Sequence, residues 1–427
     1  MLAPPPLFKN RKEFILVALL LISIIIVRLS FEYKRFLHIK SLPTYYTEAQ
    51  VLNIYDGRGY KKGSYLLKLH STDGLDFYIY TNREPPKRFD WVRVKLKLKK
   101  NTTLYDYLRG FFAYGEVVEH VEDGFDAKAY LRELINRQHN GYDNVKTFYH
   151  AIFLADPLDR ELREKISLLG VSHLVAISGF HLGILWLLIF GALFIPYRYF
   201  QAKYFPWRYR NIDLGLIVLL ILAIFTLFVG APPALIRSYV MLLIGWFILI
   251  LGLELLSFKF LAFAVLVILV VAPKLIASLG FLLSFTGVFY IFLVIKWLGD
   301  KSPWFITLIA IPVGIFLLMF PIGHYFFNNT SIWQLMSPPL SIIFIIFYPI
   351  VAILHLIGLG GSFDSLLLWL FNLPTTSVKI DMPNYLIIPY ILLSIWAIFS
   401  KKAFWATLIF ATLITIWYMT LYLYYTY

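Results

Sequence analysis

Residues 213–230 read DLGLIVLLILAIFTLFVG, one acid followed by seventeen residues without a charge. An uncharged apolar run of about this length is what a helix needs to cross the hydrocarbon core of a bilayer. The signature repeats along the chain. Runs near 171–195, 213–230, 234–253, 258–272, 275–297, 303–322, 335–358, 385–400 and 403–424 read as spans, and residues 14–29 add a first one. The shortest is a candidate re-entrant segment or half-helix. Composition agrees: of 427 residues, 59% are apolar types and 15% are charged, against about 25% charged in a soluble domain. That balance excludes a cytosolic enzyme, a secreted disulfide scaffold and a disordered hub.

The first run follows Lys9, Arg11 and Lys12, as a signal peptide would, but Arg28, Phe31 and Glu32 stand where a small-residue cleavage site belongs. It reads as an uncleaved anchor, residues 1–30. Loop charges set orientation. With the N-terminus cytoplasmic, eleven Lys and Arg between Lys9 and Lys379 fall in inner loops, and three (Lys274, Lys401 and Lys402) fall in short outer loops. Lys34, Arg35 and Lys40 lie outside, against the rule.

Residues 45–122 change character. Polar and apolar residues alternate between turn signals at Asp56-Gly57, Asp73-Gly74 and Pro85-Pro86. The alternation predicts strands over 47–55, 64–70, 75–81, 91–99 and 113–120, hence a small β-barrel or sandwich. The fold class is therefore a polytopic α-helical membrane protein of about ten transmembrane helices with an extracytoplasmic β domain. The net charge is +14, and residues 51–100 hold 12 Lys or Arg against 5 Asp or Glu. Basic excess suits anionic lipid or a nucleic acid. Aromatics, among them Tyr55, Tyr60, Tyr65, Phe77, Tyr78, Tyr80, Phe89 and Trp91, are interleaved with the cations. A positive groove with aromatic platforms holds single strands in OB-folds. The competing reading makes these rings core or interface residues and Lys95, Lys97 and Lys99 one solvated strand face, since half-buried strands are normally aromatic-rich.

Residues 123–170 read as amphipathic helices along the membrane surface. Asp156 is placed to cap a helix with Pro157 at its first position and Asp159 as the capping-box acid. The polytopic transmembrane remainder is 171–427. Cysteine is absent, so no disulfide or thiolate site exists. No HExxH, His-rich tract or GxxxxGK[ST] appears, so no metal, cofactor or P-loop ATPase is expected.

Three polar features interrupt the apolar runs. Residues 170–183, GVSHLVAISGFHLG, carry two His, two Ser and a GxxxG formed by Gly179 and Gly183. On a regular helix His173 and His181 stand about 80° apart and share a face, whereas Ser178 lies about 140° from His173. A direct Ser–His pair needs a break at Ser178-Gly179 or another helix. The second feature is Arg237, either a functional charge within a span or a side chain snorkelling to the outer interface. The third is a pair of proline-interrupted segments, Ala231-Pro232-Pro233 and Ser337-Pro338-Pro339, of the kind tolerated where backbone lines a cavity.

The stretch Ser172–Leu185, SHLVAISGFHLGIL, resembles the hallmark motif of the ComEC family of competence proteins. Ala231–Leu242, Pro273–Phe285 and Pro321–Pro349 resemble further blocks of that family in its order, and the β region resembles its extracytoplasmic OB-like domain. The resemblance covers about residues 45–360. It implies a channel in the bacterial inner membrane that passes one DNA strand to the cytoplasm during natural transformation. It implies as partners single-stranded DNA, a periplasmic DNA receptor, and a cytoplasmic helicase or single-strand-binding protein that supplies the pull. On this reading His173, Ser178, His181 and Arg237 are path or gate residues, and Gly179 and Gly183 serve close packing. Arg58, Lys61, Lys62, Lys87, Arg88, Lys95 and Lys97 are candidate DNA contacts.

The sequence departs from the family pattern at Ser238, Leu282, Ala277 and Ser337, and no HxHxDH motif appears before the chain ends at Tyr427. A short form without the family's metallo-β-lactamase-like nuclease domain is expected, hence no enzyme. One alternative is an intramembrane hydrolase with Ser178 as nucleophile and a His base. Another is a carrier for a small anion, which has little use for a basic aromatic domain outside.

Overall fold

The computed structural model describes residues 5–56, 64–121, 127–139, 141–252 and 257–426. The chain forms two compact units. One comprises Phe8–Tyr130 with Phe263–Phe281, and the other comprises Met1–Leu7, Leu131–Ala262 and Leu282–Tyr427.

The first unit opens with α1 (Arg11–Ser41), capped at its start by Asn10, whose side chain accepts from the Glu13 N–H. Five strands follow: β1 (Tyr45–Asp56), β2 (Tyr65–Ser71), β3 (Asp76–Thr81), β4 (Trp91–Leu98) and β5 (Phe111–Val121). They close into a barrel in the order β1-β2-β3-β5-β4, an OB-like arrangement. Pairing is antiparallel except between β3 and β5, where Phe77 meets Phe111 and Tyr78 meets Phe112 in parallel. The alternation that predicted the strands is the one that closes the barrel. On β4, Val92, Val94, Leu96 and Leu98 point inward, and Arg93, Lys95 and Lys97 point out. Phe36 and Ile39 of α1 complete the barrel core.

A helix that the alternation did not predict, α2 (Leu104–Arg109), joins β4 to β5. It is one and a half turns long, below what apolar periodicity can show. A reciprocal Thr103–Asp106 capping box starts it, and Tyr107 sits in the core beside Phe36, ring centroids 5.3 Å apart. Polar ties hold α1 to the barrel. Arg35 donates to the Asp73 carbonyl at 3.1 Å and Lys40 to that of Thr102 at 2.8 Å. Lys274, on the 3-10 turn Pro273–Ala277, donates to the Gly74 carbonyl at 3.0 Å and pairs with Glu32 at 3.6 Å.

The second unit is helical: α3 (Ala127–Asn136, beginning in the first unit), α4 (Asp143–Leu154), α5 (Arg160–Leu168), the single turn α6 (Ser172–Val175), α7 (Gly179–Tyr204), α8 (Arg210–Phe228) and α9 (Pro233–Ile250). After α10 (Phe258–Val271), most of which belongs to the first unit, and α11 (Leu279–Leu298), which begins there, the short α12 (Pro303–Phe305) runs through a π turn at Ile306–Ala310 into α13 (Ile311–Phe326). Then come α14 (Ser337–Leu356), α15 (Asp364–Phe371), α16 (Asn384–Trp396) and α17 (Lys401–Thr426). Among the described residues, seven helices are long and apolar enough to cross a membrane, and three shorter apolar helices lie at Ala234–Ile250, Phe258–Val271 and Asn384–Trp396. Each of the ten predicted runs thus carries a helix. At 14 residues, α10 reaches only about 21 Å, short of the roughly 30 Å hydrocarbon core.

Three sequence expectations change. The proline pairs do not interrupt spans: Pro232 is the N-cap of α9, and Pro338 lies in the first turn of α14. A first-turn residue has no intrahelical acceptor to lose, so proline starts a helix at no cost in bonds. Prolines inside helices are instead Pro196, Pro321, Pro349 and Pro389. Next, Asp156 is not a helix cap. Asp159 holds the N-cap position of α5, and Asp156 receives Arg132 from α3 in a bidentate pair at 2.7 and 3.2 Å. Finally, α4 is more than a surface helix. Val145, Phe148, Tyr149, Ile152 and Leu154 are buried in a core shared with α14 and α15.

The Arg132–Asp156 side chains are 10% and 3% exposed. Removing one partner strands a charge, so Asp156→Ala is expected to cost about 3–5 kcal/mol, read as a lower melting temperature of the purified protein. The paired replacement Arg132→Met with Asp156→Leu is expected to recover most of that loss.

Candidate functional site

The polar stretch at 170–183 folds around two breaks. Gly170 adopts φ +70°, and a Cβ there would lie 3.2 Å from Ser337 Cβ and 3.3 Å from the Gln334 backbone. Only glycine suits both the backbone angle and this approach. The Gly170 carbonyl accepts from the Ser337 hydroxyl at 2.9 Å. Then α6 makes one turn, the chain extends through Ala176–Ser178, and α7 begins at Gly179. The two histidines therefore do not share a helix face.

His173 meets Ser341 of α14, Nε2 to Oγ, at 3.3 Å. The Ser341 hydroxyl already donates to the Ser337 carbonyl at 2.7 Å, so His173 is the donor. His173 is exposed. His181 is fully buried. Its Nδ1 accepts the Ser178 backbone N–H at 3.1 Å and lies 3.3 Å from Ser178 Oγ. An accepting Nδ1 makes this imidazole neutral, with the proton on Nε2. The ring stands edge-on to Phe344 and Tyr348 of α14 at 5.5 and 4.6 Å. Ser337, Ser341, Phe344 and Tyr348 form one helical stripe, and the motif is seated along it.

Arg237 is 4% exposed, on the second turn of α9. It is enclosed by protein. Its neighbour Ser238 brings α9 against α7: a Cβ on Gly179 would lie 3.3 Å from Ser238 Oγ. Around Gly183 the same position meets nothing within 4 Å. Close packing through the GxxxG therefore holds for Gly179 and not for Gly183. Ser178, His181, Gly179 and Arg237 gather at the starts of α7 and α9, and His173 reaches α14.

On the barrel, the candidate DNA contacts separate. Arg58, Lys61 and Lys62 lie outside the described residues. Arg88 Nε donates to the Leu52 carbonyl at 3.1 Å, and its guanidinium lies over the Phe89 ring at 5.0 Å. Lys87 and Lys97 are exposed, and Lys95 stands opposite Glu116. The sequence reading passed over a groove of about 680 Å³ between β1, β2, β3 and the β4–β5 connection, lined by Tyr55, Tyr78, Lys99, Tyr105, Arg109 and Phe112 among others. Tyr78 and Phe112 stack at 5.0 Å, and Lys99 Nζ lies 5.4 Å from both Phe112 and Tyr114. Of the eight aromatics noted in the sequence, Phe77 is core, and Tyr55 and Tyr78 line this groove. Strand alternation could have found Phe112 and Tyr114, whereas Tyr105 and Arg109 depend on the unpredicted α2.

Gly170→Ala is expected to cost about 1–3 kcal/mol, the range for a residue forced into a sparsely populated backbone region, plus the clash with α14. Gly183→Ala is expected to leave stability unchanged or slightly raised. Melting of the two purified variants side by side checks the contrast.

A family model described as competence protein matches residues 155–426. No curated protein and no solved structure matches the chain. The match spans α5 to α17 and takes in Gly170, both histidines of the broken helix and the whole α14 stripe. The chain is a membrane protein of the competence protein family, with a role in DNA uptake.

Proposed function

We propose that this protein is the channel through which one strand of DNA crosses the bacterial inner membrane during natural transformation. Its N-terminus is then cytoplasmic and its barrel extracytoplasmic. The family match carries the reading, because it covers the broken helix at Ser172–Gly183 and the helices that seat it. Polar groups within an apolar helical unit are costly unless they face one another or an aqueous path. His173, Ser178, His181 and Arg237 concentrate that cost at three helix starts, which supports their assignment to the path or its gate. Energy comes from outside the chain, from a cytoplasmic helicase or a single-strand-binding protein, after a periplasmic receptor delivers the DNA.

Barrel chemistry suits an incoming single strand. Tyr78, Phe112, Tyr55 and Tyr105 offer faces for bases, and Lys99, Arg109 and Lys97 offer charges for phosphates. The hydrolase alternative gains a Ser178–His181 contact but loses the base: Nδ1 is already occupied by the Ser178 N–H. Ser178→Ala would abolish a hydrolase, and a channel is expected to tolerate it.

Two outcomes test the proposal. In cells given labelled double-stranded DNA, deletion of the protein is expected to leave label outside the inner membrane and none in the cytoplasm. Rescue by well-expressed His173→Ala is expected to fail, and continued cytoplasmic uptake in the deletion strain would end the channel reading. With purified full-length protein, Tyr78→Ala is expected to weaken single-stranded DNA binding by about 1–3 kcal/mol, one base stack. Lys99→Ala is expected to lower the log–log salt slope by about 0.7, one phosphate contact. Affinities that ignore both substitutions would remove the groove from the path.

A further inference from the structure

Away from the motif, the second unit holds a buried chain of titratable groups that the DNA path does not use. His139 follows α3 and is fully buried. Its Nδ1 lies 2.9 and 3.1 Å from the two carboxylate oxygens of Asp364, the first residue of α15. Its Nε2 lies 3.0 Å from Nε2 of His355, in the last turn of α14. The His355 Nδ1 in turn lies 2.6 Å from the Val351 carbonyl. Gln138 frames the site, donating to the His355 carbonyl at 3.2 Å and accepting the Gly360 N–H at 2.8 Å. The Tyr149 ring covers His139 in a stack at 4.5 Å. A Cβ on Gly360 would come within 2.7 Å of His355 Nε2, so a side chain there would enter the site.

We propose that Asp364, His139 and His355 form a proton-binding site, in which one proton shared by the two imidazoles latches the α3–α4 connection to the end of α14. The argument is a count. Three polar contacts run in series: carboxylate to Nδ1, Nε2 to Nε2, and Nδ1 to carbonyl. Each needs one hydrogen. An ionised Asp364 with two neutral imidazoles supplies two, for a net charge of −1, and leaves two lone pairs facing each other at 3.0 Å. A third proton completes the series and brings the net charge to zero. Burial penalises net charge, so the site favours the third proton. For His139 taken alone, burial is the largest influence and lowers the pKa, the Asp364 hydrogen bond opposes it, and Lys146 adds to the lowering. Proton uptake rests instead on the shared third proton, which completes the hydrogen-bond series and leaves the cluster neutral.

Neighbouring charges have partners of their own, and of them Lys146 also acts on His139, lowering its pKa. On α4, Lys146 pairs with Asp143 at 3.2 Å, and on α3, Arg132 pairs with Asp156. Arg137 pairs with Glu133. A metal ion between the imidazoles would need further ligands, and among the described residues no group of three or more metal-ligating side chains is assembled.

The sign follows from linkage. Closing binds a proton, so the closed latch dominates at low pH and is lost as pH rises through its titration, with opening increasing tenfold per pH unit. Hydrogen exchange of the full-length protein in lipid nanodiscs, read from pH 6 to 9 and corrected for intrinsic rates, tests this. Peptides covering 131–139 and 355–364 are expected to lose protection tenfold per pH unit, while barrel peptides stay level. His355→Gln supplies a permanent amide donor to His139 and is expected to flatten that slope. A flat wild-type profile, or equal slopes in wild type and His355→Gln, overturns the proposal. So does one equivalent of zinc whose removal by chelator opens the same peptides. If His355→Gln is not recovered folded, the wild-type slope decides alone.

Discussion

One stripe of α14 organises the helical unit. Ser337, Ser341, Phe344, Tyr348, Val351 and His355 follow each other at helical spacing, and each meets a partner distant in sequence or, like Val351, lies in the shared core. Ser337 holds the Gly170 carbonyl and Ser341 holds His173. Phe344 and Tyr348 wall in His181, and His355 reaches His139. The upper stripe is polar at its hydroxyls and aromatic below. This matches a partner segment that first exposes carbonyls at a broken turn and then presents a neutral imidazole. Proline at the start of α14 fits the same need. It fixes the first turn where hydroxyl side chains must be aimed, without removing an intrahelical bond.

An apolar helical unit tolerates polar groups when they arrive already paired. Arg132 has Asp156, and Arg208 has Asp213 at 2.8 Å. His324 donates to the Phe320 carbonyl of its own helix at 3.0 Å. His181 differs. Its Nδ1 accepts from a helix N-terminus where that of His324 donates to a carbonyl, and in both residues Nε2 makes no hydrogen bond of normal geometry. Such a group is stable only where its surroundings are over-determined, and the rings of Phe180, Phe344 and Tyr348 supply that constraint. A neutral histidine keeps a polar group at this helix start without fixing a charge there.

What the sequence made legible was local. The five barrel strands were placed within two residues of their observed ends, because period-two alternation and turn residues mark each strand independently. Every apolar run carried a helix for the same reason. What it hid depends on partners far along the chain. His139, His355 and Asp364 are separated by more than 200 residues at their contacts, and no local spacing announces them. The histidines of the motif were legible as polar residues in an apolar run, but their separation by a helix break was not. That break is the extended stretch Ala176–Ser178, closed by a capping contact between Ser178 and His181, and His181 in turn packs against α14.

The barrel groove shows how a weak pattern becomes specific by closure. Lys95, Lys97 and Lys99 read as one strand face, and on β4 alone they are equivalent. Pairing with β5 separates them: Lys95 falls opposite Glu116, Lys97 opposite Tyr114, and Lys99 lies over Tyr114 and Phe112. The outer face of the barrel thus grades from compensated charge near Arg93, which pairs with Glu48 and Glu119, to cations set against aromatic rings at the β4–β5 connection. Among these described residues, cations and aromatic rings come together at that end. The short α2, inserted in the same connection, adds Tyr105 and Arg109 to the groove while committing Tyr107 to the core, so one helical turn and a half joins the groove to the barrel interior.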